Sequence, residues 1–305
     1  MNTMHVALTG ISGFIGSFIA RELKRRGHTV TGLVRESSRR DHIEGVCDRF
    51  VVGTHDDTTC LPEFLEGADA LIHNSVDFTA YNDPHEPTRH LETNLLGSLR
   101  LLEASAPIPF VFMSSVAVHH DMRPRWEGFI DEDHPTRPST LYGASKAAVE
   151  PYLWDEHFRT GRRTVAIRPS AVYGIDPTIE RSRGHEFLGA LRADKPITQK
   201  GGGKFVHVED VAIATVNALS RDAVLAMPVN LVDCYARWGD VAQMGREILG
   251  SSSEIDLSSP ETPKNTFSKE LALTLAPEDE HGTHFMNRGH DGLRAHMKEL
   301  IDLRS

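Results

Sequence analysis

Long apolar runs are missing from this 305-residue chain, so no segment is sized to cross a bilayer as a helix. Cysteine is scarce: Cys47, Cys60 and Cys234 are widely spaced and odd in number, which excludes a disulfide framework and a CxxC motif. Reduced thiols in a cytoplasmic protein are the expectation. The 17 histidines form neither an HExxH pattern nor a Cys/His cluster, so no metal site is expected. Positive charge is in deficit. A net charge of -10 argues against nucleic acid or an anionic membrane as partner. No signal-peptide pattern precedes the first strand-like segment, which begins at Met4. Internal repeats and low-complexity tails are absent as well. The remainder, 39% hydrophobic and 25% charged, has the balance of a globular protein with a substantial core.

What is present is a rhythm of short β-branched runs and longer helical patterns, the mark of a parallel sheet covered on both faces. Strands are expected at 4–9, 28–35, 49–53, 69–75, 109–115 and 163–170, and helices at 14–26, 61–67, 88–105 and 141–160. Leu91, Leu95, Leu99 and Leu102 give the third helix an apolar face for a core or a subunit interface. After Pro169 the pattern changes. Residues 174–206 read as a polar, irregular, pocket-shaping segment, followed by a helix at 208–220 and a strand at 229–232. An exposed loop is expected at 251–263 and a closing helix at 291–303. The expected fold class is α/β, a doubly wound parallel sheet with a smaller C-terminal substrate-binding lobe. Residues 1–173, rejoined by 207–233, would form the nucleotide-binding part, and 174–206 with 234–305 the lobe.

The most informative stretch is TGISGFIG at 9–16. It joins an apolar strand pattern to an amphipathic helix pattern, placing Gly10, Gly13 and Gly16 on a strand-to-helix turn. There a dinucleotide pyrophosphate can meet bare backbone and the amides of a helix N-terminus. An ordinary tight turn is the bland alternative. A second signal lies in LYGASKAAVE, where Tyr142 and Lys146 stand four apart. That spacing puts phenol and ammonium on one helix face, and a fixed cation there would lower the phenol's pKa. The segment follows a strand pattern ending in Ser114 and Ser115, and strand carboxyl ends are where such sheets bind ligands.

These pieces, with DALIHNS (69–75), NLLGSLRLLEAS (94–105), RPSAVYG (168–174) and FVHVEDVA (205–212), resemble the extended short-chain dehydrogenase/reductases, the NAD-dependent epimerase/dehydratase family. The resemblance implies a Rossmann sheet and site roles. Gly10, Gly13 and Gly16, with Ser12, Phe14 and Ile15, would hold the pyrophosphate. Tyr142 would be the acid/base, Lys146 would tune it and bind the nicotinamide ribose, and Ser115 would orient the substrate oxygen. Asn74, Ser75 and Val76 would line the cofactor channel, and Pro169 and Val172 would approach the nicotinamide carboxamide. Asn94 would hold a local structure. A homodimer joined through the 88–105 and 141–160 helices is also implied.

Where NAD-preferring relatives carry an acidic residue, the second strand here ends in Arg35, with Arg39 and Arg40 beyond. An arginine fork suits a phosphate, so NADP is preferred over NAD. Asp56 is a candidate for meeting the adenine. Substrate candidates are Asp77, Phe78, Tyr81, Tyr173 and Arg181, with Arg183 an alternative source of positive charge. Val116 and Ala117 replace the Asp-Glu pair of dehydratases, and Gly203-Lys204 replace the Arg-Asp of nucleotide-sugar epimerases. His119, His120 and His207 are assigned no chemistry. Three readings remain: a dehydrogenase or reductase of an alcohol/carbonyl pair, a nucleotide-sugar epimerase, and a non-catalytic NAD(P) sensor.

Overall fold

The computed structural model describes residues 3–79, 87–120, 125, 128–278 and 284–304. The first half supplies strands β1 (His5–Thr9), β2 (Thr29–Val34), β3 (Arg49–Val52), β4 (Ala70–His73), β5 (Phe110–Met113) and β6 (Phe129–Ile130). The second half supplies β7 (Thr164–Pro169), β8 (Ala171–Tyr173), β9 (Gly202–His207), β10 (Pro228–Leu231), β11 (Cys234–Arg237) and β12 (Thr266–Phe267). Seven of these form one parallel sheet in the order β10-β7-β5-β4-β1-β2-β3. Each of the seven lies inside an expected segment, or within one residue of it. Alternation fixes the register: Val6 and Leu8 enter one core cluster while Ala7 enters the cluster on the opposite face. Both faces are buried, as a parallel sheet requires.

One face is covered by α1 (Phe14–Arg25), whose Ile19 and Leu23 pack with Val211 and Val216 of a later helix, Val208–Asn217. The other face carries α2 (Leu61–Leu65), α3 (Gly97–Ala104) and α4 (Leu141–Thr160), which bring Phe64, Leu101, Val149 and Leu153 onto Phe110 and Phe112. From β1 the sheet grows outward in both directions, so the winding reverses between β1 and β4. Ligands bind beyond the strand ends at such a switch point.

The expected 88–105 helix is interrupted. Pro87–His90 is helical, Leu91–Leu96 is π-helical, and α3 follows. The wide turn coincides with an inward-turned Asn94, whose side chain bonds the Asp77 backbone. Leu91 is consequently exposed, while Leu102 reaches the core.

Residues 174–206 are more ordered than expected. They contain α5 (His185–Arg192) and most of β9. Phe187, Leu188 and Leu191 bury one face of α5, a short apolar pattern masked by the surrounding Gly and Arg. The Val208–Asn217 helix, α6, lies where expected, but α7 (Trp238–Leu249) has no counterpart among the expected elements. The closing helix, α8 (Gly289–Asp302), is again in place. β9 pairs with β8 and β11, and a second hydrophobic cluster gathers Phe187, Phe205, Val241, Met244, Leu293 and Met297. The 251–263 loop is not wholly exposed: Ser253 is fully buried and Ile255 bridges Ile197.

Gly16 shows how tightly the first turn is built. A Cβ there would overlap the Gly10 carbonyl, whereas a Cβ on Gly45 would meet open space. Gly16→Ala is expected to lower unfolding stability by more than about 2 kcal/mol. Gly45→Ala should stay within about 1 kcal/mol of the parent in the same urea titration.

Candidate active site

A cavity of about 1640 Å³ runs along the carboxyl ends of the strands. At one end stands the glycine-rich turn. Gly10 has φ +68°, open to glycine at little cost, and its bare Cα lies against the backbone of Asn74 and Ser75. The N-terminus of α1 has no side-chain cap and no acidic residue in its first turn, so its amides face the cavity unneutralised. Gly10, Ser12, Gly13, Phe14 and Ile15 line this end, and Asn74, Ser75 and Val76 form the adjoining wall. Gly16 does not line the cavity. Its role is to let α1 approach the Gly10 carbonyl, which corrects the expectation of a direct ligand contact.

The wall at 74–75 is pinned from behind. The amides of Asn74 and Ser75 both donate to Thr9 Oγ1 at 3.0 Å. With both acceptor positions filled, the Thr9 hydroxyl must donate to His73 Nδ1, 2.8 Å away. His73 Nε2–H then donates to Ser98 Oγ at 2.9 Å, and the Ser98 hydroxyl donates to the Asn94 carbonyl. Full burial holds the His73 pKa well below the ordinary value, in keeping with this neutral tautomer.

Beyond β2, Arg35 lines the cavity with Ser37, Ser38 and Arg39. Arg39 is exposed and paired with Asp41 at 2.8 Å, and Arg40 sits 5.7 Å over the Phe50 ring. Asp56 also lines the cavity. His42 was missed: its Nε2 lies 3.1 Å from the Ser12 carbonyl, a long-range contact without sequence signal.

Toward the other end, Ser115, Tyr142 and Lys146 converge. Thr140 caps α4 by accepting from the Gly143 amide at 3.0 Å, and Gly143 packs directly on the Ala117 carbonyl. This brings the first turn of α4 onto the turn that follows β5. The Tyr142 phenol is hydrogen-bonded to the Ser115 side chain, and Ser115 Oγ accepts from the Ala117 amide at 3.1 Å. Phe78 stacks on Tyr142 with ring centroids 6.2 Å apart. Lys146 is buried; its Nζ donates to the Met113 carbonyl at 2.7 Å and lies 5.9 Å from the Tyr142 ring centre.

The electrostatics differ from the sequence expectation. Burial pushes the Tyr142 phenol up, and the Ser115 hydrogen bond only partly opposes it. Lys146 does not depress the phenol, because desolvation brings the ammonium itself down to about 7, against the pull of Glu150. An ammonium so easily neutralised is a weak fixed cation.

Pro169 and Val172 line the cavity, as do Asp77, Phe78 and Arg181. Asp77 lies 3.8 Å from Arg89 and accepts from the Thr79 amide. Tyr173 does not line the cavity. It is fully buried among His207, His296 and Phe205, where its apolar ring packs the second cluster, so its assignment as a substrate residue is corrected. Tyr81 lies outside the described residues. Arg183, Lys204 and His119 line the cavity in addition. His119 Nε2 accepts from Arg168 at 3.1 Å, and burial beside that guanidinium lowers the imidazole to about 4. Among the described residues no group of His, Cys, Asp and Glu side chains suits a metal ion, and no helix is long and apolar enough to cross a membrane.

Comparison with known proteins converges on one family. Residues 6–230 match the NAD dependent epimerase/dehydratase family. A 4-hydroxy-2-methyl-3-oxo-4-farnesyl-3,4-dihydroquinoline-1-oxide ketoreductase of Stigmatella aurantiaca is 31% identical over 227 residues; the match covers 72% of this chain and 65% of that protein. Cinnamoyl-CoA reductase CAD2 of Medicago truncatula is 26% identical over 301 residues, 90% of each chain. Among solved structures, the UDP-glucose 4-epimerase of Thermus thermophilus in complex with NAD superposes with a TM-score of 0.75. It is 25% identical and covers 98% of this chain and 99% of that one. The seven-stranded doubly wound sheet, the glycine-rich turn at its switch point and the match over residues 6–230 place this chain in the NAD dependent epimerase/dehydratase family.

Proposed function

We propose that the protein is an NAD(P)-dependent oxidoreductase that moves a hydride between nicotinamide and an alcohol/carbonyl carbon of a small molecule. The observation that carries this reading is the hydrogen bond between Ser115 and Tyr142 at the cavity wall, with Lys146 one helical turn behind. The bare backbone at Gly10 and Gly13 and the uncapped α1 N-terminus fit a pyrophosphate. The nicotinamide supplies the hydride donor or acceptor. The chain's own residues do the rest. Ser115 Oγ–H orients the substrate oxygen. Tyr142 Oη holds the proton that this oxygen gains or loses, and Lys146 offers a second, nearly neutral proton site behind it. The 74–76 wall and the Pro169–Val172 strand end line the same cavity and would hold the nicotinamide.

The division of labour follows the two kinds of core. The sheet, residues 1–173 with 207–233, would hold the cofactor, and 174–206 with 234–305 would frame the substrate. Arg35, Ser37 and Ser38 favour NADP through the ribose phosphate. Epimerisation of a nucleotide sugar is the second reading, favoured by Arg181, Arg183 and Lys204 along the cavity, where a diphosphate would find cations. A homodimer through α4 and the 87–104 segment fits the exposed Leu91, Leu96 and Tyr152.

Three experiments test these assignments. A panel of ketones, aldehydes, CoA thioesters and nucleotide sugars, followed by nicotinamide absorbance and by product analysis, separates net redox from isomerisation. On the active substrate, Tyr142→Phe should lower kcat by about 10²- to 10⁴-fold while leaving cofactor affinity within about threefold. Full turnover in that variant refutes the acid/base role. Arg35→Asp should weaken NADPH binding by about tenfold or more, roughly 1.4 kcal/mol, and spare NADH. Equal losses for both cofactors refute the phosphate contact.

A further inference from the structure

Behind the site lies a buried ionic group that the proposed mechanism does not use. Tyr142, Lys146 and Glu150 occupy successive turns of α4 on one face, the face turned to the sheet. Glu150 is 1% exposed, and its carboxylate is fully engaged. Oε1 accepts from Ser114 Oγ at 2.6 Å and from Arg168 Nε at 2.9 Å, and Oε2 accepts from Arg168 Nη2 at 2.5 Å. Arg168 is also 1% exposed, and its remaining arm reaches His119 on the cavity wall. One carboxylate therefore ties together three segments of the site. Ser114 precedes Ser115 at the end of β5, Arg168 precedes Pro169 at the end of β7, and Lys146 lies one turn back on α4.

We propose that Glu150 is the positioning residue of this site: it registers the ends of β5 and β7 against α4 and supplies the buried counter-charge that keeps Lys146 protonated. The inference rests on the reading of Ser115, Tyr142 and Lys146 as the reacting group. Two cations, Lys146 and Arg168, meet here; Glu132 also faces Arg168, but Glu150 is the carboxylate that acts on Lys146. The other titratable groups around Lys146 are Tyr142 on α4, His73 on β4 and His55 after β3; His73 and His55 are held neutral by burial, and the phenol is held protonated. His119, behind Arg168, is likewise neutral near pH 7. Among the described residues, Glu150 is thus the one carboxylate acting on Lys146, opposing a desolvation that already brings it to about 7. Glutamine at this position keeps the shape and one carbonyl acceptor for Ser114 and Arg168 Nε, but removes the charge and gives up the acceptor that Arg168 Nη2 uses. Lys146 then loses its proton at lower pH.

The test reads Lys146 directly in the full-length protein. With ¹³C-lysine labelling, the Lys146 Cε resonance, assigned by its loss in Lys146→Arg, is titrated by NMR without cofactor or substrate. Glu150→Gln should lower the midpoint by about one pH unit or more, whereas Glu150→Asp, which keeps the charge, should stay within about half a unit. In the same variant the ratio of NAD⁺ to NADH dissociation constants at pH 7 should fall about threefold, because a neutral amine no longer repels the cationic ring. An unchanged midpoint in Glu150→Gln overturns the proposal. If that variant does not fold, Arg168→Gln decides: it leaves the carboxylate undivided, so the midpoint rises, and an unchanged or lower midpoint overturns the inference. Failure of the protein to bind either dinucleotide would instead refute the functional reading, an outcome the cofactor-free titration keeps separate.

Discussion

The arrangement of the candidate site depends on the contact between Gly143 and the Ala117 carbonyl. No side chain fits between them, so the first turn of α4 rests directly on the turn that follows β5. The Thr140 cap fixes where α4 begins, and the contact fixes how far it stands from the strand. A methyl group at 143 would push Tyr142 away from Ser115, and the shared hydrogen bond would be the first thing lost. Two functional side chains from segments far apart in sequence thus owe their meeting to the smallest residue between them.

Much of this architecture was legible before the structure. Short β-branched runs at β1, β4, β5 and β7, alternating with helical patterns, mark a sheet covered on both faces, and the 141–160 helix has the expected bounds within one residue. The Tyr142–Lys146 spacing and the strand-end position of Ser115 brought the three together on paper. The misreadings share a physical origin. Tyr173 carries a polar atom, yet its ring is what the second cluster needs, and burial won. α5 was hidden because three apolar residues suffice to seat a helix on an existing core. The phenol is held up by its own burial, and the same burial strips the Lys146 charge of the water it would need to act as a fixed cation.

That burial illustrates a general tension. An ion pair such as Glu150–Arg168 gains little net stability over an apolar replacement, since removing both ions from water offsets their attraction. Breaking it by deleting one partner is far more damaging, because the survivor stays uncompensated. Directional bonds to Ser114 and His119 accompany the pair, so its value lies in geometry more than in stability.

The chain of hydroxyls and imidazole behind the 74–75 wall has a further consequence. Since Thr9 already receives two amides, every proton from Thr9 through His73 to Asn94 has only one possible direction. Moving the wall would leave several polar atoms dry and unpaired at once. The nucleotide half of the cavity is therefore stiff, and any shape adaptation to new ligands must be carried by the opposite bank, where Arg181, Arg183 and Lys204 stand on surface-reaching segments. Divergence of specificity on this scaffold would then be read in those three positions long before it touched the glycine turn.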